Sequence, residues 1–369
     1  MQYGISIIRK CYLLSVLLAT VWLTGCVQEE LGPTPSPSGN AIRFTLTVPD
    51  VNLPSVSSRT MTGTGTAKKE DEIETVDILV FDMSKTPAVY LECASATGVT
   101  QDLADNSTVS FSAVLSPTTA STCIVVVANK EFDDIVSGFR KGVTTKVEAM
   151  EKMIHAQTGK WLADGSTTGG YTRIPMYGEK VLSKITPSMN PITGINMKRM
   201  LARIDIRNNS VTSNFTVEEV YLANYNTTGY IAPAWDTNGQ VTEPIPDTPV
   251  LPAGSGKMTE EGDAILYSVN GNTPYDGEIY TFESLAAEDA GGAGQDGEAS
   301  RKDATCLIVK GRIGTGESTF YRVDFTKNGN TGEQVEYLPL KRNHKYIITI
   351  TKALGTGYKS FSEALASYT

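Results

Sequence analysis

Cys26 closes the run Leu23-Thr24-Gly25-Cys26. A thiol behind two small residues, at the end of an apolar stretch, suits thioether acylation: the bond needs a thiol, and small neighbours let a peptidase close on the backbone. Arg59, in Ser58-Arg59-Thr60, is the second informative residue. An Arg in a long polar segment is a good target for a trypsin-like protease, and the same residue also serves as a plain linker charge. Conventional catalytic groupings are missing. The only histidines are His155 and His344, too few for His-rich metal sites and a poor basis for acid–base catalysis. The spacing of Gly292, Gly294 and Gly297 matches a dinucleotide loop, but the stretch is acidic, follows no expected strand and opens no helix. The run Gly254-Ser255-Gly256-Lys257 lacks the first glycine of a phosphate loop and carries Met258 where a hydroxyl is needed. Glu288, Asp289, Asp296 and Glu298 fit no calcium-loop spacing. No catalytic residue, cofactor or metal site is expected, and the chain is not read as an enzyme.

The elements around Cys26 give it an address. Arg9 and Lys10 precede the apolar residues 11–23, a run too short for a confident bilayer span. With Leu23–Cys26 this resembles the bacterial lipobox, so residues 1–26 read as a lipoprotein signal, the alternatives being a plain secretory signal or a short membrane anchor. Residues 27–40, with three Pro and several Ser, Thr and Gly, read as a flexible tether. Beyond the signal only Cys93, Cys123 and Cys306 remain, which allows one pair, Cys93 with Cys123 being nearest, or buried free thiols. The 369 residues carry a net charge of −9 with no basic block, which excludes nucleic acid as a partner.

Strand patterns dominate the rest. Ile42, Phe44, Leu46 and Val48 alternate with Arg43, Thr45 and Thr47 in a half-buried strand. Further strands are expected at 75–81, 109–115, 123–127, 174–177, 180–182, 192–197, 200–207, 216–222, 264–269, 277–282, 304–311, 319–325 and 344–351. The unbroken run Cys123–Val127 predicts burial on both faces. One helix is expected over 144–157, opened by a capping box at Thr145 and Glu148 and carrying His155. Residues 223–260 and 286–303 read as loops, the first holding Tyr225, Tyr230 and Trp235, aromatics suited to stacking on sugar rings or to anchoring the loop. This mainly β content fits two sandwich-like domains, 41–198 and 199–369.

The long link 49–72, with Arg59 inside it, separates the first strand from everything after it. Cutting there would free strand 41–48 from the rest of the chain. If the strand belongs to a sheet, its departure opens an apolar groove with unpaired backbone groups, which a strand of another chain can fill by β-augmentation.

Taken together, Leu23–Cys26, the first strand, Arg59, Thr75–Asp82 (TVDILVFD), Ile124–Lys130 (IVVVANK), Ile174–Gly178 (IPMYG), Lys198–Ile206 (KRMLARIDI) and Lys341–Ile350 (KRNHKYIITI) resemble the fimbrillin family, the major fimbrial subunits of type V pili and their relatives. The resemblance implies an all-β fold of two transthyretin-like β-sandwich domains, with one short helix in the first. It implies an outer-membrane lipoprotein acylated at Cys26, cleaved by an Arg-specific protease between Arg59 and Thr60, and shorn of the removable strand of Ile42, Phe44, Leu46 and Val48. Assembly would follow by donor-strand exchange with other fimbrial subunits, in a fimbrium used for adhesion and biofilm formation on host or bacterial surface ligands. Family shaft subunits carry a further apolar strand after the last motif. Residues 355–369 offer little such material, which leaves a base anchor or a tip subunit beside the shaft role. A monomeric surface lipoprotein binding a glycan or host protein is the competing class.

Overall fold

Strict alternation in Ala41–Thr47 (β1) puts Ile42, Phe44 and Leu46 on one face and Arg43, Thr45 and Thr47 on the other, and the strand sits in its sheet with that face inward. The computed structural model describes residues 41–49, 69–102, 108–130, 132–162, 172–189, 191–209, 214–255, 257–258, 261–271, 275–287, 302–327, 336–353 and 355–367. Cys26, the tether 27–40, Arg59, Thr60 and the acidic stretch 288–301 lie outside them.

The first sandwich continues with Val76–Asp82 (β2), Val89–Ser95 (β3), Thr97–Gln101 (β4), Thr108–Val114 (β5), Thr122–Ala128 (β6), Met176–Leu182 (β7) and Ile192–Asn196 (β8). One sheet has the order β4-β5-β1-β8; the other runs β7-β6-β2-β3, with the two-residue strand Lys198–Arg199 added beside β7. The second sandwich uses Ala202–Asn208 (β9), Phe215–Ala223 (β10), Ile265–Gly271 (β11), Tyr275–Thr281 (β12), Cys306–Ile313 (β13), Thr319–Asp324 (β14) and Lys345–Ile350 (β15). Its sheets run β12-β9-β15 and β14-β13-β10-β11. The topology repeats. In each sandwich the first strand lies between an antiparallel partner (β5 or β12) and a parallel one, the last strand of its sheet (β8 or β15).

Each sandwich has its own core, centred on Phe44, Ile78, Phe111 and Ile124 in the first and on Ile204, Val220, Tyr267 and Val309 in the second. A third core joins them. It packs the outer faces of β2 and β6 (Leu79, Phe81, Val125, Val127) against Met150, Met153 and Trp161, and against Leu201, Ile231, Tyr280 and Phe282 of the following segment. β6 is therefore buried along its whole length, as its unbroken apolar run predicts. Asn40–Thr369 forms a single compact unit.

Several elements differ from expectation. The capping box is present: Glu148 N donates to Thr145 Oγ1 at 3.1 Å, and Thr145 N to Glu148 Oε2 at 2.7 Å. But the helix spans only Lys146–Lys152. Ile154–Ala156 turns into a strand because Thr228–Tyr230, distant in sequence, offers it a ladder; His155 is thus on a strand, not a helix. The helix is also not alone: Asp133–Val136 makes one turn, and Phe361–Ala366 forms a C-terminal helix capped by Ser360. The strands expected at 174–177 and 180–182 are one strand, β7. Gly178, between the two expected segments, is needed for close approach, since a Cβ there would lie 2.7 Å from Met197 Sδ and 2.8 Å from Ile195 Cγ2.

The three cysteines are free thiols. Cys93 on β3 and Cys123 on β6 flank β2 from opposite sides, two strand spacings or roughly 10 Å apart, beyond disulfide reach. Burial, with nearby carboxylates, pushes Cys93 up to about 12, and burial pushes Cys123 up to about 11, so neither is a ready nucleophile.

Candidate functional site

β1 fills a slot between β5 and β8. Against β5 it pairs from Ala41↔Val114 to Thr47↔Thr108; against β8 it pairs Phe44↔Ile192, Leu46↔Ile195 and Thr47↔Asn196. The residues expected to anchor it meet in one core: Ile42, Phe44, Leu46 and Val48 are all 2% exposed or less. Phe44 stacks on Phe111 with ring centroids 5.0 Å apart and planes 8° from parallel. Arg43 and Thr47 face solvent. Two donors beyond β8 fasten the end of the strand: Met197 N donates to Thr47 O at 2.8 Å, and Arg199 Nη1 to Pro49 O at 2.9 Å.

Arg199 was not among the residues singled out from the sequence. It is buried, and besides Pro49 it reaches Asn343 Oδ1 (2.9 Å), Glu70 O (3.3 Å) and the Asp71 carboxylate. Glu70 in turn accepts from Arg203 Nη1 at 2.9 Å and from the Tyr280 hydroxyl at 2.8 Å. Arg203 also grips Asp205, with Nε to Oδ1 at 2.8 Å and Nη2 to Oδ2 at 3.0 Å. Burial opposes the charge on Arg203, but Glu70 and Asp205 more than offset it and hold the guanidinium above its usual range. Burial first, then the Glu70 carboxylate, push the Tyr280 phenol up, so it remains a donor. The chain thus leaves β1 at Pro49 and returns at Glu70 and Asp71 to the same guanidinium. The available signal was charge of opposite sign at alternate positions, Arg203 and Asp205, on a strand whose other face is apolar (Ala202, Ile204 and Ile206).

The aromatics of the 223–260 segment are used in packing. Tyr225 is buried, its hydroxyl accepting from Gly159 N at 3.3 Å and donating to Asp263 O at 3.4 Å. Tyr230 and Trp235 meet edge to face at 5.0 Å, and Trp235 packs on the third core. Among the described residues no group of three or more His, Cys, Asp or Glu gathers as a metal site.

His155 packs 5.3 Å from Trp161 and 6.3 Å from Phe282. Burial, assisted by Lys130, lowers it to about 4, so the folded chain keeps the ring neutral. The unfolded chain takes up that proton from about pH 6.5 downward, so this contribution is intact above pH 6.5 and is lost as pH falls towards 4. Between pH 7 and pH 4 the wild-type Tm should fall more than that of His155→Gln, by on the order of 2–4 °C. Identical Tm profiles for the two proteins would place the ring in solvent.

No curated protein matches this sequence. Among solved structures, the tip fimbrial protein Mfa3 from Porphyromonas gingivalis, with a C-terminal truncation, is 16% identical; the match covers 85% of this chain and 96% of that one, with a TM-score of 0.47. A fimbrial assembly protein from Parabacteroides distasonis ATCC 8503 is 10% identical, with coverage of 84% and 90% and a TM-score of 0.43. Residues 42–193 match the model of the Major fimbrial subunit protein (FimA) family. Those residues run from β1 into β8, so the similarity to the major fimbrial subunit protein family covers most of the first sandwich.

Proposed function

We propose that the protein is a structural subunit of a cell-surface fimbrium whose β1 is a temporary occupant of its slot. In this reading the chain is exported as an outer-membrane lipoprotein acylated at Cys26, and an Arg-specific protease cuts between Arg59 and Thr60. β1 leaves with the lipid, and an extended strand of another subunit takes its place, giving fibres that mediate adhesion and biofilm formation. The match of residues 42–193 to the major fimbrial subunit family model supports the fimbrial role, the surface location and contact with other subunits.

The observation that carries the reading is the attachment of β1. It is an internal strand with four buried anchors, yet 28 residues (48–75) separate it from β2, whereas six (209–214) separate its counterpart β9 from β10. At about 1.5–3 kcal/mol per large side chain, four anchors supply on the order of 6–12 kcal/mol before entropy, so a replacement strand would be held with kinetic stability. The test is the N-terminus and intact mass of protein sheared from cells. A chain starting at Thr60 without lipid is expected; one starting at acylated Cys26 and released only by detergent would mean β1 is retained.

A second reading, base anchor or tip subunit, is favoured by the C-terminal helix. Phe361 and Ala364 pack on Ile308 and Phe320 of the same chain, and Tyr358 bridges to Phe320, so this segment is docked on its own sheet rather than extended towards a neighbour.

A further inference from the structure

We propose that Arg199 is an end-stop built into the slot: a buried guanidinium that receives one main-chain carbonyl, at the place of Pro49 O, from any strand lying between β5 and β8. It thereby sets how far that strand must reach. The inference rests on the reading that β1 gives way to an extended strand of a second subunit, and it names a group that recognises that strand apart from the apolar pockets.

Arg199 is 2% exposed and fixed at its backbone, where it pairs with Met176 of β7. Its remaining partners do not belong to β1. Nε holds Glu70 O, Nη2 holds the Asp71 carboxylate, and Nη1 shares Asn343 Oδ1 with the Pro49 bond. When β1 departs these partners stay, so the guanidinium keeps its aim while one of its N–H groups loses its acceptor. A buried cationic donor without a partner is costly, and a carbonyl delivered to that point restores a charge-assisted bond.

Alternation alone does not define the depth of insertion. A strand displaced by one residue turns its apolar side chains outward and is rejected. A strand that stops two residues short keeps its apolar parity and still satisfies much of the ladder, but it ends about 6.6–6.8 Å from the proper place and leaves one N–H of Arg199 Nη1 without its acceptor. The end-stop selects against this second error. The partner it fits is an extended segment with apolar residues at alternate positions that continues one carbonyl past its last anchor.

The test uses the full chain cut at Arg59 by an Arg-specific protease and two synthetic peptides, Ala41–Pro49 amide and Ala41–Val48 amide, titrated into the vacated slot. The longer peptide should bind the wild-type protein on the order of tenfold more tightly, and the difference should shrink to about twofold or less in Arg199→Met. Arg199→Lys, which keeps a charge beside Asp71 but not the planar fork, should also lose most of it and serves if the Met variant does not fold. Equal affinity of the two peptides for the wild-type protein overturns the end-stop, as does an undiminished difference in the variants. If neither peptide enters, the replaceable-strand reading fails instead, and amide exchange on the uncut chain judges Arg199. Arg199→Met should then raise exchange at 45–48 well above that at Ile42, and unchanged exchange overturns the proposal.

Discussion

Replacing Ile42, Phe44 and Leu46 together with Ser should leave the uncut chain without a stable first sandwich. These side chains are 1%, 0% and 0% exposed, and Phe44 carries the stack on Phe111. Large-to-small changes at such sites cost about 2–5 kcal/mol each, and hydroxyls buried without partners add to that. The sum is comparable with the roughly 5–15 kcal/mol that holds a typical domain together. A calorimetric scan should show the loss of cooperative unfolding for the first sandwich or a fall in its Tm of more than 15 °C. The matched change on the outward face, Arg43, Thr45 and Thr47 to Ser, should move Tm by no more than a few degrees, because those residues lie on the solvent side. An unchanged melting curve for the inward triple variant would mean that β1 contributes nothing to the sheet.

The strands of the sandwich cores were legible because local pattern and tertiary environment agree. Val109, Phe111 and Ala113 alternate and are buried; Cys123–Val127 is apolar throughout and buried throughout. β4 escaped detection because Thr97–Gln101 is polar and mostly exposed, and β3 because Val89, Leu91 and Cys93 alternate over only a short run whose residues are no more than partly buried. The helix over-reached because Ile154–Ala156 takes its conformation from Thr228–Tyr230, some seventy residues away, and no local pattern reports that.

At the site, the four apolar anchors were legible for the same reason β1 was. Arg199 and Glu70 were not. A charged residue in a sequence reads as a solvated face, and only the fold shows that Arg199 is neutralised by Asp71, and Arg203 by Glu70 and Asp205, where the two sandwiches meet. Arg203 and Asp205 looked like the outward side of β9, yet Asp205 is fully buried because that side of the strand faces the segment 69–71. Buried ionic groups of this kind are a weak source of net stability; this cluster instead holds the points where the chain leaves and re-enters the fold.

Arg59→Ala should abolish maturation without disturbing the fold. Arg59 lies ten residues after Pro49 and eleven before Glu70, and both of those residues are held by Arg199. The link therefore leaves and returns at nearly one point, and Arg59, the proposed target of an Arg-specific protease, stands near the middle of it in sequence. One cut separates β1 from everything after it, because β1 makes no other covalent connection to the sandwich than through its C-terminal end. The same cut in the loop 209–214 would free nothing, since β9 remains joined to β8 through Lys198–Leu201. The uncut variant keeps Ile42, Phe44, Leu46 and Val48 in place, so its Tm should match that of the precursor within about 1 °C. Its surface form should carry the mass of the acylated chain from Cys26, and sheared fibres should fall at least tenfold. Arg59→Lys, presented to the same Arg-specific protease, should behave like Arg59→Ala and separate recognition of the guanidinium from a need for positive charge. Normal fibres from Arg59→Ala would remove this residue from assembly and leave β1 as a permanent strand of the sheet.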